Sequence, residues 1–249
     1  MQKSNSLRIF AGPNGSGKST LFDSIQKKTN LNFGCFVNAD EIEKVLKSEG
    51  QLLLTQYGLN CQLKDWQNFS KTKDGKSLLN IAKSNEIAIK ILFKDNKLTT
   101  ESNSFSSYYA AYIAAFIRYL LLKNKKSFTF ETVMSHPSKL NELKRANSKG
   151  YRTYLYFICT DDPEINVSRV ANRLVKGGHR VSKKAIRSRY PKTLENLYDA
   201  IKLSRRAYLF DNSSNTPYKL IAETYNNQLM IHTDELPNWF YKYVLIKYL

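Results

Sequence analysis

The segment Gly12-Pro13-Asn14-Gly15-Ser16-Gly17-Lys18-Ser19-Thr20 decides the fold of this 249-residue chain. It satisfies the pattern G-x-x-x-x-G-K-[ST] and directly follows the apolar segment 7–11, which we predict to be a strand. A spacing of apolar residues that is typical of a helix begins immediately after it. Strand, glycine-rich loop and helix in this order predict a phosphate-binding loop, so all nine residues are candidates for binding a nucleoside triphosphate, ATP or GTP.

The residue types in this loop suit phosphate chemistry. Glycines let consecutive backbone N–H groups turn inward, and these groups then surround phosphate oxygens at the positive end of the following helix. Lys18 is predicted to reach the β- and γ-phosphates, and the hydroxyl group of Ser19 to hold Mg²⁺. The alternative is a glycine-rich turn that only caps a helix.

The amino-acid composition indicates which classes of protein this chain can belong to. Hydrophobic residues make up 42% of the chain and aromatic residues 12%, which favours a globular protein over a disordered one. The most apolar run, 105–122, contains Arg118 and four tyrosines, so we interpret it as a core helix rather than a membrane span.

We see no signal pattern near the N-terminus and expect a cytoplasmic protein. The three cysteines and three histidines lack metal-ligand spacing, and we expect buried, reduced thiols.

The net charge of +18 has two interpretations. The positive charge indicates either a protein that binds nucleic acid or a solvated protein surface that attracts small polyanions. Because no nucleic-acid-binding module is recognisable, we regard specific nucleic-acid binding as the less favoured interpretation.

Five apolar or aromatic segments are predicted to be buried strands, each followed by a polar turn or a helix start. This alternation predicts an α/β fold with a doubly wound, parallel, five-stranded sheet and helices on both faces. The segments are 7–11, 35–38, 127–131, 153–159 and 207–211.

Ligands of such sheets bind beyond the carboxyl ends of the strands. Besides the loop, the residues to inspect are therefore 38–41, 131–135, 160–162 and 211–213.

The domain organisation follows from the same pattern. We predict one domain over 1–249 with an insertion at 51–104, which holds short helices and a hairpin turning at Asp95-Asn96 and is interpreted as a lid. A C-terminal extension, 219–249, is predicted to contain a hairpin that turns at Asn226-Asn227, followed by an aromatic segment suited to core packing or an oligomer contact.

Several stretches together resemble the zeta-toxin family of P-loop kinases, in particular its chromosomal branch of predicted ABC-type ATPases. The resemblance covers roughly residues 6–50 and 105–225. The stretches that carry it are the glycine-rich loop with Ala11 before it, Phe36-Val37-Asn38-Ala39-Asp40-Glu41-Ile42, Phe130-Glu131-Thr132, 162–173 and Gly177-Gly178-His179-Arg180.

The resemblance implies a reaction and roles for several residues. Studied toxins of the family transfer the γ-phosphate of ATP to a hydroxyl group of a UDP-activated amino sugar. By resemblance, Asp40 is the catalytic base, Glu131 with Thr132 binds the substrate, and Arg169 and Arg180 contact the transferring phosphate. A small, anionic, hydroxyl-bearing acceptor such as a nucleotide sugar, and an antitoxin protein, are the partners that the family suggests.

Each of these roles has an alternative. Asp40 follows a predicted strand, where it suits a base, but the same position suits an N-cap of the next helix. Glu131 could instead orient Mg²⁺ through water. Arg169 and Arg173 are four residues apart and share a helix face, so Arg173 is a further nucleotide-binding candidate, although a solvated basic face has the same pattern.

The sequence thus favours an ATP- or GTP-dependent, Mg²⁺-requiring kinase of a small molecule. Two alternatives stay open. One is a nucleic-acid or nucleotide end kinase, which the charge favours, and the other is a nucleotide-binding regulatory module with little turnover.

Overall fold

A computed structural model describes residues 4–100, 106–175, 181–214 and 217–249. The strands, in chain order, are β1 (Ser6–Ala11), β2 (Cys35–Val37), β3 (Gln51–Leu53), β4 (Ile91–Lys94), β5 (Lys97–Thr100), β6 (Phe128–Thr132), β7 (Arg152–Cys159), β8 (Arg206–Asp211), β9 (Lys219–Tyr225) and β10 (Gln228–Ile231). The α-helices are α1 (Lys18–Lys28), α2 (Ala39–Glu49), α3 (Leu63–Lys71), α4 (Lys73–Lys83), α5 (Ser107–Lys123), α6 (Ser138–Ser148), α7 (Pro163–Val175), α8 (Lys183–Glu195), α9 (Leu197–Leu203) and α10 (Asn238–Tyr243).

The chain divides into two compact units. The first comprises Met1–Phe33 with Thr129–Leu249, and the second comprises Gly34–Phe128. The second unit contains the whole of the predicted 51–104 insertion together with α2 and α5.

The first unit is built on the main sheet, whose strands lie there in the order β10-β9-β8-β7-β1-β6. Strand β7 pairs in parallel with β1 and with β8, whereas β9 pairs antiparallel with both β8 and β10. The turn between β9 and β10 is formed by Asn226 and Asn227, which have φ angles of 48° and 66°. Both residues are in the left-handed region that tight hairpin turns require, as the Asn-Asn pair predicted.

The expected fold class is confirmed, since a mainly parallel sheet is combined with helices. The predicted number of five strands is not, because β9 and β10 extend the sheet as antiparallel strands. The pattern of apolar and aromatic residues in the sequence located all five predicted strands to within one residue at each end.

The core of the first unit includes a row of stacked rings across neighbouring strands. Phe10 on β1 stacks on Tyr156 on β7 with 4.6 Å between ring centroids, and Tyr156 stacks on Tyr208 on β8 at 5.0 Å. In register with one another, these residues fix the pairing of three strands, because a shift of one position would turn every ring to the opposite face.

The second unit contains a three-stranded antiparallel sheet in the order β3-β5-β4. Its main helix, α5, is buried along most of its length, and the rings of Trp66, Phe69, Tyr112 and Phe116 pack together there. This confirms that the apolar run is a core helix, although Phe105 lies outside the described residues. None of the described helices is both long enough and apolar enough to span a membrane.

Candidate active site

The glycine-rich loop joins β1 directly to α1, as its sequence predicts. Gly12 lies so close to β7 that a Cβ atom there would be 2.0 Å from the carbonyl oxygen of Ile158, so only glycine fits. The ammonium group of Lys18 lies against the loop, with Nζ at 3.0 Å from the Gly12 carbonyl oxygen and 2.8 Å from that of Pro13. The loop is thus anchored on the sheet, and its lysine is the first residue of α1.

Ser19 and Glu131 meet although 112 positions separate them in the sequence. Ser19 is in the first turn of α1 and Glu131 is near the carboxyl end of β6. The Ser19 hydroxyl group donates to Oε2 of Glu131 at 3.0 Å. A hydroxyl oxygen and a carboxylate oxygen are therefore side by side at the start of the helix that follows the loop.

These two oxygens suit Mg²⁺, which prefers oxygen ligands and retains several water molecules. In the part of the chain that the structure describes, no group of three or more His, Cys, Asp or Glu side chains could hold a metal ion. A magnesium ion would thus depend on Ser19, Glu131, water and phosphate oxygens, which is how this ion is usually held in phosphoryl-transfer enzymes.

The loop that follows β6 is held in a strained conformation. Met134 is 2% exposed and has a φ angle of 59°, which is uncommon for a residue other than glycine. Its carbonyl oxygen accepts from Nδ2 of Asn196 at 2.9 Å, and the Val133 carbonyl oxygen accepts from Oγ1 of Thr193 at 2.9 Å. Oγ1 of Thr132 accepts from the Met134 N–H at 3.0 Å. Strain of this kind persists only where neighbours enforce it, and it is concentrated at functional sites.

Arg169 lies on α7, and its guanidinium group is engaged by backbone carbonyl oxygens. Nη1 donates to the carbonyl oxygen of Asn212 at 2.7 Å, and Nη2 donates to that of Ser214 at 3.1 Å. Arg173 follows one turn later on the same helix and is exposed. Arg180, with Gly177, Gly178 and His179, lies outside the described residues.

Asp40 belongs to the second unit, where it is exposed in the first turn of α2. The N-cap of this helix is Asn38, whose side chain accepts from the Asp40 N–H at 2.9 Å. The alternative interpretation of Asp40 as the N-cap is therefore wrong. Its assignment as a base stays a prediction from the sequence.

Asn212 is a residue that the sequence did not single out. It follows β8, and its side-chain Nδ2 donates to the carbonyl oxygen of Ser16 in the glycine-rich loop at 2.8 Å. The general rule about strand ends had marked 211–213 for inspection, but the sequence gives no indication of which atom Asn212 would contact.

The cysteines offer no reactive thiolate near the loop. Cys159, the last residue of β7, is fully buried, and burial raises the pKa of its thiol far above the ordinary value. Burial likewise raises the pKa values of Cys35 and Cys61 to about 11. All three cysteines are free, as expected, although Cys35 is only half-buried.

A family model described as zeta toxin matches residues 95–236, which is more than half of the chain. The glycine-rich loop lies outside that match. A curated relative, an uncharacterized protein of Haemophilus influenzae, is 29% identical over 69 residues, which are 28% of this chain and 49% of the relative. The chain thus matches about half the length of that relative.

Solved structures show the same fold. The native AvrRxo1-ORF1:AvrRxo1-ORF2 complex contains a chain that matches with a TM-score of 0.57 and 15% identity, over 96% of this chain and 63% of that chain. The complex with ATP gives a TM-score of 0.55 and 15% identity, over 92% and 61% of the two chains.

Proposed function

The chain belongs to the zeta-toxin family, and from this premise we propose that it is an ATP- or GTP-dependent phosphotransferase. In this proposal the γ-phosphate is transferred to a hydroxyl group of a small anionic acceptor, of which a UDP-linked amino sugar is our first candidate. The match covers less than two thirds of the similar solved chains, so the residues of this chain, rather than the activities of those proteins, support the proposal.

The contact between Ser19 and Glu131 is the observation that supports the proposal most. It brings an acidic residue from the carboxyl end of a strand to the residue after the loop lysine, at 3.0 Å. A glycine-rich turn that only capped a helix would need neither the lysine nor this carboxylate. A phosphoryl-transfer site needs both, because the loop binds the phosphates and the oxygen pair can hold the metal ion.

The chain's own residues would act mainly by position and charge. The loop N–H groups and Lys18 would bind the β- and γ-phosphates. Ser19 and Glu131 would hold Mg²⁺, which offsets the negative charge of the phosphate oxygens when it is bound. Arg169 and Arg173 would add positive charge, and Asp40 would accept the proton of the attacking hydroxyl group.

The proposed acceptor site lies at the carboxyl end of β6 and in the loop that follows it. This candidate site comprises the end of β6, where Thr132 follows Glu131, together with the loop that contains the strained Met134. The backbone of this loop is fixed by Thr193 of α8 and by Asn196, the residue that follows α8. A fixed loop orients a sugar hydroxyl group better than a loose one. The ATP-bound complex among the similar structures adds support for nucleotide binding, and its two-protein composition for a protein partner such as an antitoxin.

The test is transfer of ³²P from labelled ATP or GTP to three acceptor panels: nucleotide sugars, nucleosides and oligonucleotides. We expect labelling of an anionic sugar or nucleotide and none with Lys18→Ala, whose circular dichroism should match the wild type. Lys28→Ala, at the other end of α1, is the control for loss of a lysine. Labelling of oligonucleotide ends alone would support the end-kinase alternative. Tight nucleotide binding without any transfer would support the regulatory module.

A further inference from the structure

Asn212 restrains one peptide group of the glycine-rich loop. Its Nδ2 donates to the carbonyl oxygen of Ser16 at 2.8 Å. In a trans peptide the C=O and the next N–H point in opposite directions. Because the Ser16 carbonyl group is held on the Asn212 side, the N–H of Gly17 is directed to the other side of the loop.

Gly17 is adapted to this contact. It has a φ angle of 104°, in the left-handed region, and a Cβ atom there would be 2.7 Å from Nδ2 of Asn212. The glycine therefore serves both the backbone conformation and the close approach of the asparagine. N–H groups at this position of a phosphate-binding loop are the groups that surround the α- and β-phosphates.

Asn212 is itself held from two sides through its backbone. Its N–H donates to the carbonyl oxygen of Cys159 at 2.8 Å, and its carbonyl oxygen accepts from Nη1 of Arg169 at 2.7 Å. The preceding residue, Asp211, accepts from both the N–H and the hydroxyl group of Ser213, at 3.0 and 2.8 Å. These contacts fix the loop from which the Asn212 side chain projects.

The C-terminal helix α10 is attached to the same strand ends. Nε1 of Trp239 donates to Oδ1 of Asp211 at 2.9 Å, and its backbone N–H donates to Oδ1 of Asp161 at 3.0 Å. Nδ2 of Asn238 donates to the other oxygen of Asp161, also at 3.0 Å. Trp239 is 2% exposed and packs against Phe157. These contacts come from residues beyond position 236, where the family match ends.

We propose that Asn212 and Trp239 are positioning residues of the nucleotide site. Asn212 directs the Gly17 N–H toward the β-phosphate, and the Trp239 indole, through Asp211, keeps Asn212 in place. The C-terminal helix thereby sets the geometry of a loop more than 200 residues earlier in the chain. This inference rests on nucleotide binding by the glycine-rich loop, which is part of the proposed function.

The first experiment measures calorimetric affinities of the wild type and of Asn212→Ala for Mg-ADP and for AMP. We expect the variant to bind ADP about tenfold more weakly, as the loss of about one hydrogen bond predicts. AMP affinity should change less than twofold, because AMP lacks a β-phosphate. Asn212→Leu, which keeps most of the side-chain volume but has no donor, should lose as much as the alanine variant.

Asn147→Ala is the matched control. Asn147 also donates from Nδ2 to a backbone carbonyl oxygen, that of Leu203, at 2.7 Å, but it lies on α6 away from the loop. Its removal should leave the ratio of ADP to AMP affinity unchanged. If Asn212→Ala, Asn212→Leu and Asn147→Ala acted only through a general loss of stability, each would change its ADP and AMP affinities in the same proportion.

The second experiment tests the link to α10 by a double-mutant cycle. Trp239→Phe keeps the aromatic packing and removes the indole N–H, and it should weaken ADP binding about threefold. The same substitution made in Asn212→Ala should have no further effect, because both act on one peptide group. Trp66→Phe, in the second unit, is the control for replacing a tryptophan.

The outcomes separate this inference from the proposed function. If the wild type does not bind ADP, the proposed function fails. If the wild type binds ADP and Asn212→Ala binds it equally well, or loses ADP and AMP affinity in equal proportion, the positioning role of Asn212 is wrong. Additive effects of Trp239→Phe and Asn212→Ala would overturn the link through Asp211.

Discussion

Asp40 is an exposed carboxylate in the first turn of α2, and Asn38 supplies the cap of that helix. If Asp40 is the general base, Asp40→Asn should lower phosphoryl transfer about 100-fold. Its affinity for Mg-ATP should stay within about twofold, because an amide fills the same space. Single-turnover transfer and calorimetry together measure the two effects.

Glu41→Gln is the control for Asp40, since it removes a carboxylate from the same first turn of α2. Transfer by Asp40→Asn at near the wild-type rate would mean that Asp40 serves only as an acidic residue at a helix N-terminus, where its charge is favourable.

Arg169 makes two contacts to backbone carbonyl oxygens, so it has a structural role as well as its predicted chemical one. Positive charge aimed at the transferring phosphate acts mainly in the transition state. We therefore expect Arg169→Ala to lower kcat about tenfold more than it weakens Mg-ATP binding. If kcat is unchanged and kcat/KM falls as much as the affinity for Mg-ATP, Arg169 only holds the loop after β8 and does not act on the transferring phosphate. Arg187→Ala, which removes an exposed arginine paired with Glu164, is the control.

The sequence indicated candidate residues of the site but not the contacts between them. Spacing alone made the loop, Lys18 and Ser19 candidates, and the place of Glu131 at a strand end made it another. The meeting of Ser19 with Glu131 and of Asn212 with Ser16 joins residues more than 100 positions apart. Such contacts depend on strand order, which local patterns do not contain.

Among the elements, those with strong local periodicity were predictable and those defined by distant pairing were not. Predicted helices in the insertion correspond to α3 and α4, and the predicted hairpin corresponds to β4 and β5. Strand β3 was missed because its pairing with β5, where Gln51 faces Thr99, joins residues that are far apart in the chain. The antiparallel pairing of β9 with β8 was also not predicted, although the two strands follow each other in the chain.

Helix α3 provides a test of stability against pH. Oδ2 of Asp65 accepts from the Gln62 N–H at 3.0 Å, and Oδ1 accepts from Nζ of Lys123 at 2.6 Å. The backbone hydrogen bond first, and the lysine second, hold the pKa of Asp65 below its ordinary value. A lowered pKa means stabilisation that is fully present above the unfolded pKa and is lost as the pH falls through the folded one.

We therefore expect Asp65→Asn to destabilise the protein by about 1 to 3 kcal/mol at pH 7, and by progressively less below about pH 4. Urea unfolding at several pH values measures this difference. Asp74→Asn, in the first turn of α4, is the control. A loss that is the same at pH 7 and at pH 3 would show that the charge of Asp65 contributes nothing.

For the molecule as a whole, the net charge of +18 is the property that the fold does not explain. We expect it to attract phosphate-bearing small molecules and to give weak, non-specific oligonucleotide binding that falls steeply with salt. At physiological salt, dissociation constants of about 10⁻⁶ M or weaker are typical of such binding. Fluorescence anisotropy at two salt concentrations measures it. Tight binding together with 5′-end labelling, and no labelling of nucleotide sugars, would contradict the small-molecule acceptor.

The chain has two tryptophans, and each unit contains one of them. Trp66 packs edge-on against Tyr112 and Phe116 in the second unit, whereas Trp239 is buried in the first. Indole emission from Trp66→Phe therefore comes from the first unit alone, and emission from Trp239→Phe comes from the second alone. A stopped-flow trace of either variant records when one unit loses its packing, so the order in which the two units unfold can be observed without any attached dye.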